Sequence, residues 1–155
     1  MNILDELGFV FADALADVIS KVSGIPLINS ILEHDDDDDE MIGVMNLNGK
    51  SGGTFFVSAK EAAMRTLCSH MTGIPRNEVT KEDIGDTLCE FVNMTAGNAK
   101  LRLSNASYSF ALTVPFVVSG ENMAIHTKKK KHITARALSD GEIALKVKFI
   151  HYSIA

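Results

Sequence analysis

The chain has 155 residues, 46% hydrophobic and 23% charged, with a formal net charge of −5. That is enough for one domain with a proper core and cramped for two, and too acidic for a general nucleic-acid binder, which needs a basic face to neutralise phosphates. No unbroken apolar run reaches the length of a membrane span. The opening MNILDELGFVFADALADVIS carries acids where a signal peptide would carry a basic lead. The expectation is therefore a single domain over residues 1–155, cytoplasmic, with no nucleic-acid or membrane partner.

In chain order, Leu4 to Val22 reads as an amphipathic helix closed by Gly24 and Pro26. Two strand-like runs follow, IPLINSILE and MIGVMNLN. The acidic run Asp35 to Glu40 between them reads as a solvated hairpin tip, since mutual repulsion disfavours a compact cation cage. Asn48-Gly49 turns the chain into a third strand, TFFVS. AKEAAMRTLCSHMTG is a second helix, stopped by Gly73 and Pro75. Thr80 with Asp83 three residues on has the form of a capping box and opens a long helix running to about Ser104.

Beyond that helix the pattern turns to strands: SYSFALTVPFVVS, ENMAIHT, HITARAL and EIALKVKFI. The last alternates cleanly, with Ile143, Leu145, Val147 and Phe149 on one face and Glu142, Lys146 and Lys148 on the other. KKKKH, Lys128 to His132, reads as an exposed turn, with contact to an acidic partner surface or to a second subunit as the alternatives. Cys68 and Cys89 have no short-spaced partner, so they read as reduced thiols and no metal site is expected. Asn93-Met94-Thr95 and Asn105-Ala106-Ser107 fit the glycosylation pattern, which a cytoplasmic chain does not use.

The order of elements predicts an α+β fold, an antiparallel β-sheet with long helices packed on it. Two quasi-repeated α-β halves are also expected. At an offset of 73 residues, ADALADVISKVSG lies over GDTLCEFVNMTAG, so Asp13 meets Asp86, Asp17 meets Glu90, Ser20 meets Asn93 and Gly24 meets Gly97.

The second of these segments raises the functional question, although an outward Glu-x-x-Asn pair by itself is most often merely solvated. At about 100° per residue, Ile84, Leu88, Phe91, Val92, Thr95, Ala99 and Leu103 form a core stripe. Asp86, Glu90, Asn93, Gly97 and Lys100 fall opposite, so Glu90 and Asn93 stand side by side on the outward face. A mid-helix glycine costs about 1 kcal/mol relative to alanine. Gly97 therefore needs a reason: close approach by a partner, tight packing within the chain, or simple tolerance.

GDTLCEFVNMTAGNAK, followed by TVPFVVSG and preceded by GGTFFVSAKEAAMRTLCSHMTG, resembles the CheC/CheX/FliY family of chemotaxis phosphatases, most closely its CheX-like members. The resemblance spans nearly the whole chain, with the family's Glu-x-x-Asn at Glu90 and Asn93. It implies hydrolysis of the aspartyl-phosphate on a CheY-like response regulator. The regulator supplies the phosphorylated aspartate and the bound magnesium, and the phosphatase needs no cofactor of its own.

By that carry-over Glu90 engages a lysine of the regulator and Asn93 positions the attacking water. Asp86, Gly97 and Lys100, on the same stripe, are expected partner contacts, and a homodimer is expected. Family members often carry two such helices. Here the first helix offers Asp17 and Ser20, and serine is too short to imitate the amide, so one site per chain is expected. Two other readings keep the fold without the chemistry. One is a non-catalytic module binding a response regulator, a receptor-modifying enzyme or the flagellar switch. The other is a structural module with the stripe buried at a dimer contact.

Overall fold

The computed structural model describes residues 3–50, 52–104, 108–127 and 133–152. Three helices, α1 (Ile3–Ser23), α2 (Glu61–Thr72) and α3 (Lys81–Arg102), pack on a seven-stranded antiparallel sheet. Its strands are β1 (Ile28–Ile31), β2 (Asp39–Asn48), β3 (Gly53–Ala59), β4 (Ala111–Leu112), β5 (Phe116–Met123), β6 (Ile133–Ser139) and β7 (Ala144–His151). A 3-10 turn, Arg76–Glu78, precedes α3.

The sheet has the symmetry of a duplicated unit. β3 pairs with β7 at its centre, β2 flanks β3 as β6 flanks β7, and β5 joins the outside of β2 as β1 joins the outside of β6. Each half thus lends its outermost strand to the other. The helices agree in the same register. Phe11, Leu15, Val18 and Ile19 of α1 are buried, and so are Ile84, Leu88, Phe91 and Val92, their counterparts 73 positions on in α3.

Both helices lie on the sheet face made by Phe55, Val57, Leu145, Val147 and Phe149. The Phe11 ring sits 4.7 Å from that of Phe55 and 5.2 Å from that of Phe149. Under α3, Gly43 of β2 permits close approach, because a Cβ there would lie 2.7 Å from Val92 Cγ2. The capping box forms as expected: Asp83 N donates to Thr80 Oγ1 at 3.1 Å and Thr80 N to Asp83 Oδ2 at 2.9 Å. The cap fixes where α3 begins, and the buried stripe of Ile84, Leu88, Phe91 and Val92 sets which residues face outward.

Three expectations are corrected. The runs flanking the acidic segment form no hairpin: β1 pairs with β6, and β2 with β3, β4 and β5. Nor is the acidic run simply solvated: Asp36 and Asp37 are exposed, but three of its neighbours are tied to lysines. Asp35 reaches Lys146 (2.7 Å) and Lys148, Asp38 reaches Lys60 (2.7 Å), and Asp39 reaches Lys146 (3.2 Å). The two lysines on the polar face of β7 are therefore paired with carboxylates, and Lys148 is only 4% exposed. Burial alone would raise the Asp35 carboxyl, but the hydrogen bonds and charges of Lys146 and Lys148 outweigh it and hold it down to about 2. Asp39 is raised, chiefly by burial.

Third, TVPFVVSG and ENM do not belong to separate strands, since β5 runs through to Met123. The Lys128–Lys131 basic run, with His132, lies outside the described residues, as does the Asn105-Ala106-Ser107 pattern.

Candidate functional site

α3 divides as its sequence predicts. Ile84, Leu88, Phe91, Val92, Thr95, Ala99 and Leu103 are buried, while Asp86, Glu90, Asn93 and Lys100 are exposed. One helical turn separates Glu90 from Asn93, so carboxylate and carboxamide stand together on the ridge. Among the described residues, none of these four polar side chains has a hydrogen-bond or ion-pair partner in the chain. The fold positions them without using them.

Gly97 extends the ridge by one more turn. A Cβ added there would meet nothing within 4 Å. Packing within the chain is therefore not its reason, and alanine would fit the isolated protein. Close approach by another molecule, or simple tolerance, remains.

One side of the ridge is a groove of about 330 Å³, lined by Met71, Thr72, Asp83, Asp86, Thr87 and Glu90. Met71 and Thr72 are the last two residues of α2, which ends at Gly73 in a left-handed conformation (φ 77°). The sequence reading did not anticipate this wall; the Gly73 and Pro75 stop signals were the only pointer to where α2 would end. Cys89, on the same helix, is half-buried. Burial first, then the neighbouring Asp86 and Glu90 charges, push its thiol up, which disfavours the reactive thiolate.

The counterpart segment on α1 behaves differently. Arg102, in the last turn of α3, donates to Asp13 Oδ2 at 2.6 Å and Asp17 Oδ2 at 3.2 Å, and Lys21 donates to Asp17 at 3.0 Å. A hydrogen bond from Lys21 is the main cause lowering the Asp17 carboxyl, and the Lys21 and Arg102 charges add to it. Asp17 and Ser20 thus provide no second acid-and-amide ridge. Among the described residues no cluster of three or more His, Cys, Asp or Glu side chains has the geometry of a metal site. No described helix is long and apolar enough to cross a membrane.

Comparison with known proteins places this geometry in context. A family model described as chemotaxis phosphatase CheX matches residues 41–136. A search of curated protein sequences finds no match. Among solved structures, a CheC-like superfamily protein from Shewanella sp. PV-4 is 22% identical, with a TM-score of 0.84 over 99% of this chain and 100% of that one. Chemotaxis protein CheX from Vibrio vulnificus is 21% identical, also at 0.84, covering 98% and 100%. The CheX-CheY-BeF3-Mg2+ complex from Borrelia burgdorferi contains a chain 20% identical, at 0.75, covering 93% and 96%. These likenesses concern the fold, and the family match spans the whole of α3, including Glu90 and Asn93.

Proposed function

The chain belongs to the CheX family of chemotaxis phosphatases, and from that premise we propose that it hydrolyses the aspartyl-phosphate of a CheY-like response regulator. The observation that carries the reading is the pair Glu90 and Asn93, exposed one turn apart on α3 and unpartnered within the described chain.

An acyl phosphate is already activated, so its hydrolysis gains mainly from placing a water in line and stabilising charge. A neutral carboxamide suits that task. Asn93 donates through its NH2 to one oxygen and accepts from the attacking water through its carbonyl, with no tuned pKa. Glu90 engages a regulator lysine and so fixes the angle at which α3 enters. Magnesium, held by the regulator, supplies charge neutralisation at the phosphoryl group, and the phosphatase adds no cofactor of its own. Asp86, Gly97 and Lys100 complete the contact ridge. The setting proposed is cytoplasmic, where such regulators work.

A homodimer belongs to the same reading. Both sheet edges carry exposed apolar side chains, Ile28 and Ile31 on β1 and Phe116 and Val118 on β5, and unpaired edges of this kind favour strand-to-strand association.

The test is the rate at which a phosphorylated CheY-like regulator loses phosphate with wild-type protein and with Asn93→Ala. Acceleration by the wild type, lost in the variant while binding persists, is the expected result. Binding without acceleration by the wild type would leave the docking module and remove the enzyme.

A further inference from the structure

Resting on the reading above, we propose that Asp86 and the groove beside it form a specificity contact for a basic side chain of the regulator, additional to the lysine that Glu90 engages. Three observations meet here. First, the groove wall is cation-seeking. Three of its six lining residues are carboxylates and none is basic. Asp83 is committed to the Thr80 cap, which leaves Asp86 and Glu90 available. α2 also ends at this wall, in Met71 and Thr72, so the negative end of its dipole lies there.

Second, the shape suits a long basic side chain. Half-buried Met71 offers a thioether and methylenes for the aliphatic stem, while the exposed Asp86 and Glu90 offer carboxylates for the charged head. The third observation comes from the other half of the molecule. Asp13 and Asp17 on α1 correspond to Asp86 and Glu90 and have the same four-residue spacing. That frame is filled: one nitrogen of the Arg102 guanidinium lies 2.6 Å from Asp13 and another 3.2 Å from Asp17. The duplicated copy thus displays, at the aspartate corresponding to Asp86, the kind of group this position takes: a long basic side chain, at 2.6 Å from Asp13. In α3 the same frame stands open beside a groove, and its cation has to come from the partner.

Asp86 is a binding residue here, with no role in the hydrolytic step. The contact therefore predicts a split between KM and kcat. The experiment measures steady-state dephosphorylation of the CheY-like regulator that the wild type accelerates, with Asp86→Lys, the milder Asp86→Asn, and Glu142→Lys as a control. Glu142 is exposed on the β6–β7 turn, and its reversal changes net charge by the same amount.

Asp86→Lys is expected to raise KM about tenfold with kcat held within about twofold, Asp86→Asn to raise it less, and Glu142→Lys to leave it unchanged. The Asp86→Lys effect is also expected to shrink as salt is raised. Equal KM values for Asp86→Lys and Glu142→Lys would overturn the contact while leaving the phosphatase reading intact. So would a fall in kcat at unchanged KM. A wild type that accelerates no regulator would instead remove the reading on which the contact rests. Because Asp86 is exposed and unpartnered among the described residues, melting temperatures of both variants should match the wild type and exclude misfolding.

Discussion

α1 and α3 are two versions of one helix. They bury corresponding apolar residues against corresponding halves of a quasi-symmetric sheet, and each presents an acid four residues after an aspartate. Their outward faces have nevertheless diverged. On α1 the acids are bound by Arg102 and Lys21, and the place of the amide is taken by Ser20. On α3 acid and amide are both present and none of the described residues binds them. Carboxylates tied inside a molecule hold it together, whereas carboxylates positioned and left free are available to a partner.

The largest test of that contrast is catalytic. Removing the amide in Asn93→Ala should cost about a hundredfold or more in the accelerated dephosphorylation rate, the scale of losing one preorganised polar group at a reacting centre. Ser20→Ala should change nothing in the same assay. Equal losses would mean that the two helices share the work.

The tied acids should show themselves as acid sensitivity. Asp35 has its folded pKa held down to about 2, below the usual aspartate value. Its contribution to stability is complete above about pH 4 and is lost as pH falls toward 2. Its magnitude is about 1–2 kcal/mol, less than the full shift implies because the residue stays partly solvated. Urea unfolding of Asp35→Asn against wild type should show that difference at neutral pH and a narrower gap below pH 3.

Arg102→Ala should destabilise by about 1 kcal/mol, since one guanidinium serves two carboxylates at a partly covered surface. Lys100→Ala, two residues away and unpartnered among the described residues, should fall within about 0.5 kcal/mol of wild type. Denaturant midpoints decide between them. The aligned glycines give the smallest and sharpest comparison. Gly24 ends α1 at φ +76°, so Gly24→Ala should cost about 1 kcal/mol. Gly97 lies inside α3 with open space around it, so Gly97→Ala should stabilise the free protein by up to about 1 kcal/mol while weakening regulator binding. Stabilisation with unchanged binding would make Gly97 merely tolerated.

Local signals were legible in the sequence because their causes are local. The Thr80–Asp83 cap, the core stripe of α3, the stop at Gly73 and the apolar face of β7 all follow from residues within a few turns of one another. What stayed hidden depends on partners far along the chain. Nothing near Asp35 announces Lys146 and Lys148, more than 100 residues away, so the acidic run read as a solvated tip. The pairing of β1 with β6 and the clamp of Arg102 on α1 were missed for the same reason. At the site, Glu90 and Asn93 were legible as an outward pair, and the roles proposed for them come from the family resemblance. Met71 and Thr72 were not, because only the tertiary fold brings the end of α2 beside Asp86.

The most direct test of the central claim, that α3 is the working face and α1 its structural counterpart, is hydrogen–deuterium exchange. It would compare the protein alone with the protein in complex with a beryllofluoride-activated, magnesium-bound CheY-like regulator. Protection is expected across residues 86–100 and at the end of α2, with residues 13–24 unchanged. Protection centred on α1, with α3 exchanging as in the free protein, would contradict the account.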